Sequence, residues 1–160
     1  MTPRLVVVTG KGGAGKSTVA AALGTASARA GHRTVVCEVG EQGVVPRLLG
    51  VTPTHGSQVT AVGPRLWVTA VSPETALAAW FSRSLGRAGA ALLTRPAVMD
   101  AFIAAAPGAR ELITIGKVWD LLDLGGDGTG GPVDVVVLDA PSTGHAVALL
   151  GAPATYSHMG

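Results

Sequence analysis

Four glycines and two lysines lie within the ten-residue stretch TGKGGAGKST, which runs from Thr9 to Thr18. Within it, the run from Gly10 to Ser17 fits the pattern G-x-x-x-x-G-K-[ST], whose main-chain N–H groups surround a polyphosphate. In this pattern the second lysine reaches the outer phosphates, and the hydroxyl that follows it can ligate Mg²⁺. The predicted phosphate-binding residues are Gly10, Lys11, Gly12, Gly13, Ala14, Gly15, Lys16, Ser17 and Thr18.

A second candidate for chemistry is the acid that ends the apolar run VDVVVLD, at Asp139. An acid at the end of a strand beside a phosphate loop can hold Mg²⁺ together with the loop hydroxyl. We therefore predict Ser17 and Asp139 as ligands of a magnesium ion. The alternative is that Asp139 only caps the turn after the strand.

The phosphate loop is flanked by the elements that would hold it in place. Leu5–Val8 is continuously apolar, which predicts a strand buried on both faces. Ser17–Ala30 is rich in alanine and leucine and predicts a helix that Gly31 ends. Thr34–Cys37 is a second β-branched run. Strand, loop, helix and strand form a βαβ unit, which indicates a parallel sheet with right-handed crossovers.

Further strands are predicted at Leu66–Val71 and Val133–Leu138, and Glu41–Pro64 is expected to be a loop. Helices are predicted at Pro73 to about Arg87, Pro96–Ala106 and Ala109–Leu124. Four apolar residues of the last helix recur at helical spacing: Leu112, Ile115, Trp119 and Leu122. We expect this stripe to pack in the core, the alternative being a helical subdomain at about residues 73–124.

Composition narrows the class of protein. The 160 residues suit one domain, and 48% hydrophobic against 14% charged residues is too apolar for a disordered chain. A net charge of +2 without a basic stripe argues against nucleic-acid binding. The single cysteine excludes a disulfide framework and a zinc site with several Cys ligands within these residues. No apolar run reaches the length of a membrane span, so we expect a cytoplasmic protein.

Lys11 carries a family resemblance. The form K-G-G-x-G-K-[ST] resembles the deviant P-loop that the MinD, ParA, nitrogenase-iron-protein and ArsA/Get ATPases share. In that group the extra lysine reaches across a dimer interface to the nucleotide of the partner. The resemblance implies ATP as the nucleotide, a homodimer or heterodimer, and catalytic roles for Lys11 and Lys16. The alternative is that Lys11 is a solvent-exposed lysine that improves the general electrostatics.

The segment D-A-P-S-T-G-H, Asp139–His145, resembles the switch motif D-T-A-P-T-G-H of the ArsA/Get family more than its counterparts in the other groups. Ala106–Glu111, followed by Gly116 and Lys117, also resembles the P-G-x-x-E region of bacterial ArsA-like ATPases. The resemblance extends from about residue 4 to 151. It implies a P-loop NTPase fold with a helical insertion, and an Mg-ATP-dependent dimeric ATPase that acts on a client, for example a membrane protein.

Members of that family are longer and carry further strands and an adenine-binding segment. We therefore expect residues 1–160 to form the N-terminal portion of a single P-loop NTPase domain, with the sheet incomplete at its C-terminus. Arsenite transport needs several thiols, so the lone Cys37 disfavours it.

The sequence departs from the family after the second strand. ArsA/Get proteins have S-T-D-P-A-H there, with an aspartate that positions the attacking water, whereas this chain reads CEVGEQG at Cys37–Gly43. Glu38 or Glu41 would have to substitute, and we favour Glu38 because it lies at the strand end. The alternative for both is a solvated loop carboxylate. This departure motivates a second hypothesis, a non-hydrolysing regulatory subunit; a MinD/ParA-like positioning ATPase is a third.

Overall fold

The computed structural model describes residues 4–53, 58–78, 98, 108–124, 128–142, 144, 146, 147, 149 and 151. The strands are β1 (Arg4–Gly10), β2 (Thr34–Val39), β3 (Thr60–Gly63), β4 (Leu66–Val71) and β5 (Val135–Ser142). The helices are α1 (Lys16–Arg29), α2 (Val44–Leu48) and α3 (Ala109–Leu124). Residues 73–78 and the described residues between 144 and 151 are also helical.

The five strands form one sheet in the order β1-β5-β2-β4-β3. β1, β5, β2 and β4 run parallel, and only β3 is antiparallel to its neighbour β4. The predicted α/β class with a mostly parallel sheet is therefore confirmed. The predicted burial of Leu5–Val8 on both faces is wrong, because β1 lies at the edge of the sheet and its Val6 is 38% exposed.

The expected loop at Glu41–Pro64 is wrong in two places, because it contains α2 and β3. The five residues of α2 follow the N-cap residue Gly43, which has a φ of 68°. No side chain caps the start of this helix. One helical turn and a four-residue strand are too short to produce a hydrophobic period. Their formation depends on contacts with the rest of the fold, including the hairpin between β3 and β4.

Two apolar layers cover the sheet. On the α1 side, alternate strand residues pack against Ala20 of α1 and Val45 of α2: Val36, Val68 and Val137. On the α3 side, the intervening strand residues pack against Val118 and Leu121 of α3: Val35, Cys37, Val136 and Leu138. Consecutive strand residues thus face opposite helices, as the period of two requires.

The predicted strand at Leu66–Val71 and helix at Ala109–Leu124 have the observed bounds. The core role expected for the helical stripe is wrong for Trp119, which is 68% exposed, although Leu122 is buried. The residues of α3 that reach the core most deeply are Val118 and Leu121. Of the other two predicted helices, Pro73 to about Arg87 and Pro96–Ala106, only residues 73–78 and 98 belong to the described residues, and these are helical. No helix in the described part of the chain is long and apolar enough to cross a bilayer.

Strand order determines which loops meet. β5 lies between β1 and β2, and its Asp139 is in register with Val8 on one side and Glu38 on the other. The loop after β1 and the loop after β2 therefore flank the C-terminal end of β5. Ligands of parallel α/β sheets bind at such strand ends.

Candidate functional site

The glycine loop lies between β1 and α1, at residues 11–15. Gly13 and Gly15 have φ values of 77° and 82°, in the left-handed region that favours glycine. A Cβ at either position would meet nothing within 4 Å, so backbone conformation rather than space explains these glycines. Gly15 is the N-cap of α1 and no side chain caps that helix. Its first N–H groups are therefore open to an anionic ligand.

Lys16 is the first residue of α1, and its side chain folds back over the loop. Its Nζ donates to the main-chain carbonyl of Lys11 at 3.3 Å. The same carbonyl accepts a hydrogen bond from the Ala14 N–H at 3.2 Å. The ammonium of Lys16 is thus held beside the main-chain N–H groups of the loop, whereas Lys11 is exposed.

Ser17, in the first turn of α1, contacts Asp139 of β5. Ser17 Oγ donates to Asp139 Oδ2 at 2.6 Å, and the aspartate is only 6% exposed. The second oxygen, Oδ1, is buried and has no hydrogen-bond partner among the described residues. A hydroxyl and a carboxylate with an unused buried oxygen form a donor set that Mg²⁺ prefers. The two residues therefore fit the predicted cation.

Thr18 is exposed. It lines a groove of about 650 Å³ between α1 and α2, together with Thr25 and Leu48 among others. A contact between Thr18 and a phosphate stays a prediction.

The two candidate glutamates occupy different places. Glu38 is 3% exposed, and its Oε2 accepts the main-chain N–H of Val45 at 2.8 Å, at the start of α2. Glu41 is exposed and accepts a hydrogen bond from Ser72 Oγ at 3.4 Å. Ser72 directly follows β4, which β2 separates from β5. Only Glu38 therefore neighbours Asp139 in the sheet, and the water-positioning role of either glutamate stays a prediction.

One contact that the sequence did not indicate joins the phosphate loop to the switch segment. Thr9 Oγ1 donates to the carbonyl of Pro141 at 3.2 Å, and Gly10 is in register with Ser142. β5 therefore extends past the predicted strand end at Asp139 and runs alongside the start of the loop. No local pattern signals this pairing, because 132 residues separate the two hydrogen-bonded groups. Residues 143 and 145 of the switch segment lie outside the described residues.

Cys37 lies next to Glu38 in sequence but on the opposite face of the sheet, in the α3 layer. Burial, and after it the nearby Glu38 charge, raises the pKa of its thiol from 9.0 to about 12, although Lys117 acts in the opposite direction. The thiol therefore stays protonated and packs as a small apolar group.

The structure combines a mostly parallel sheet, a glycine loop that leads into α1, and a Ser–Asp pair next to that loop. Together these features define the P-loop NTPase fold. The comparison with known families is more specific. A sequence model described as anion-transporting ATPase, the ArsA family, matches residues 3–159. The chain belongs to this family, and the predicted resemblance is confirmed.

Relatives agree with this placement. The chain is 34% identical over 155 residues to the ATPase BagA of Mycobacterium tuberculosis. This alignment covers 92% of the chain and 45% of that relative. It is also 34% identical over 154 residues to an uncharacterised protein of Streptomyces coelicolor, covering 94% of the chain and 37% of that relative. The chain thus spans less than half the length of these relatives.

Proposed function

We propose that this protein binds ATP with Mg²⁺ and hydrolyses it. The observation that carries the proposal is the Ser17–Asp139 hydrogen bond of 2.6 Å below the glycine loop, with Asp139 Oδ1 buried and unpartnered among the described residues. Membership of the anion-transporting ATPase family and the name of the relative BagA support ATP as the nucleotide.

The charge distribution of the site suits a triphosphate. The loop N–H groups, the uncapped start of α1 and the Lys16 ammonium are all positive, and they lie on one side of Asp139. When bound, Mg²⁺ neutralises charge on the β- and γ-phosphates. Ser17 and Asp139 would hold the ion, and Lys16 would bind the outer phosphates.

To test this proposal, the intact protein is titrated with Mg-ATP and binding is measured by calorimetry. Asp139→Asn keeps the shape of the side chain but removes the charge, so we expect Mg-dependent affinity to fall at least about 10-fold. Asp134→Asn is the matched control, because Asp134 precedes the same strand at its other end, where it accepts the Arg33 N–H at 2.8 Å. Equal affinity of Asp139→Asn and the wild-type protein would contradict the proposed cation site.

We further propose that Lys11 acts in a dimer, on the nucleotide of the partner. Its side chain is exposed, and no acceptor among the described residues binds its ammonium, so it is available to another subunit. A cation supplied in this way stabilises transition-state charge and is worth about 10³–10⁵ in rate in other phosphoryl-transfer systems. Lys11→Ala should lower turnover by a factor in this range while ATP binding changes little. Unchanged turnover and unchanged sedimentation would exclude the role.

A second candidate function is a non-hydrolysing ATP-binding subunit that regulates a catalytic paralogue. The observation that favours it is that both glutamates are already hydrogen-bonded, Glu38 of β2 to Val45 and Glu41 to Ser72, in a segment that has no aspartate. Single-turnover hydrolysis of labelled ATP separates the two functions. Release of phosphate by the purified protein alone supports the ATPase, whereas release only after addition of a paralogue supports the regulatory subunit.

A further inference from the structure

Two buried carboxylates lie side by side at the ends of β2 and β5. Glu38 and Asp139 are Cα partners in the sheet register. Paired residues of parallel strands point to the same face and are about 4.8 Å apart. Asp139 faces α1, since it binds Ser17, and Glu38 faces the same side, since it binds the first turn of α2.

Neither of these two acids is ion-paired with a positive side chain in the described part of the chain. Glu38 is 3% and Asp139 is 6% exposed, and neither forms an ion pair with a described lysine or arginine. The partners that the described residues give them are neutral: the Val45 N–H and the Ser17 hydroxyl. Neighbouring buried carboxylates repel each other and lose hydration, so the pair is stabilised by a cation.

We propose that Glu38 is a positioning residue of the Ser17–Asp139 cation site, which supplies a second negative charge there and links the site to α2. The inference rests on the proposed function and assigns Glu38 a role different from that of the group that positions the attacking water. Mg²⁺ in proteins keeps several of its waters, and a second carboxylate beside the ion is an acceptor for them. Because Glu38 also accepts the Val45 N–H, occupation of the cation site restrains the start of α2.

The test measures metal affinity directly. Mn²⁺ replaces Mg²⁺ and is titrated into the intact protein with a non-hydrolysable ATP analogue, and free Mn²⁺ is quantified by electron paramagnetic resonance. Glu38→Gln removes the charge but retains an oxygen that can accept the Val45 N–H. One unit charge at about 6 Å in an effective dielectric of 20 predicts Mn²⁺ binding that is weaker by about 100-fold or more. Glu74→Gln, which removes an exposed acid paired with Arg110, should bind as the wild type.

A second readout separates charge from folding. Hydrogen exchange of residues 43–48 should slow when Mn²⁺ and the analogue bind to the wild type, and this slowing should be lost in Glu38→Ala. If Glu38→Gln fails to fold, Glu38→Asp serves instead: it keeps the charge on a shorter side chain. The Glu38→Asp variant should bind Mn²⁺ as tightly as the wild type, whereas hydrogen exchange at α2 should be faster.

Each outcome decides a different question. Wild-type Mn²⁺ affinity in Glu38→Gln overturns the role of Glu38 while the ATP site stands, provided that Asp139→Asn loses binding in the same assay. Absence of Mn²⁺ binding to the wild-type protein overturns the proposed function and this inference together. Weakened binding in both Glu38→Gln and Glu74→Gln would show a general charge effect and would also overturn it.

Discussion

Gly24→Ala probes how closely α1 lies on the sheet. Gly24 is buried in the middle of α1, against Val36 of β2. A Cβ built at this position would meet Val36 Cγ2 well inside the 3.0 Å that real Cβ atoms essentially never breach. The next neighbour, Leu66 Cδ1, would be 3.7 Å away, which is an ordinary contact. The clash with this one methyl group of Val36 therefore determines how Gly24→Ala changes the stability of the protein.

The magnitude follows from two opposing terms. Alanine is the better helix former by about 1 kcal/mol. Overpacking a core costs about 1–3 kcal/mol, and the upper end applies because Val36 is fully buried and β-branched, so its side chain has little rotamer freedom. We expect a net destabilisation of about 2 kcal/mol. α1 must also retreat by about 1 Å to restore carbon contact, which moves Ser17 relative to Asp139.

The assay is urea unfolding of single and double variants. Val36→Ala removes the offending methyl and is itself destabilising, but it should offset most of the Gly24→Ala effect, so the double variant costs less than the sum of the two single variants. Gly116→Ala is the matched control, since Gly116 lies in α3 and an added Cβ there meets nothing within 4 Å. It should stabilise the protein by about 1 kcal/mol.

A Gly24→Ala variant that is at least as stable as the wild type would refute the close packing of α1 on Val36. This packing would also be refuted by strict additivity with Val36→Ala. Loss of stability without any loss of Mg-ATP affinity would show that the retreat of α1 does not reach Ser17.

Two further predictions concern the buried thiol of Cys37 and the half-buried side chain of Arg33. Cys37 should resist alkylation at pH 8 until the chain unfolds; because its folded pKa is raised to about 12, its contribution to stability is complete below pH 9.0 and is lost as pH rises toward 12. Urea titrations at several pH values check this sign, and rapid labelling under native conditions would contradict it. Arg33→Lys should destabilise the protein by about 2 kcal/mol, because Arg33 donates to the carbonyls of Pro132 at 2.8 Å and Thr129 at 2.6 Å and stacks on Trp67. Thermal unfolding measures the loss, and an unchanged midpoint would show that a simple point charge suffices there.

Local patterns predicted the phosphate loop and its supporting elements because their signals are short-range. Glycines at positive φ, the lysine and the hydroxyl all act within ten consecutive residues. The β4 and α3 bounds followed from continuous apolar runs and from helical composition. α2 was missed, since five residues carry no period and its start depends on the distant carboxylate of Glu38.

Periodicity indicates which residues share a helix face, but it does not indicate which face another element covers. The stripe that ends at Leu122 illustrates this: the same spacing includes a buried leucine and Trp119, which is 68% exposed. The face of α3 that is covered depends on how the helix is rotated against the sheet, and this is a property of the packed layers.

By itself the sequence determined the glycine loop, the hydroxyl of Ser17 that follows it, and the apolar run that leads to Asp139. Only the tertiary structure decided that Glu38 is the neighbour of Asp139, because β5 inserts between β1 and β2 and brings together residues that are about a hundred positions apart. Because side chains alternate along the strand, Cys37 and Glu38 lie in opposite layers: the thiol packs in the core, and the carboxylate lies beside the proposed cation site. Strand order and facing are global outcomes of packing, which no local pattern of residue types contains.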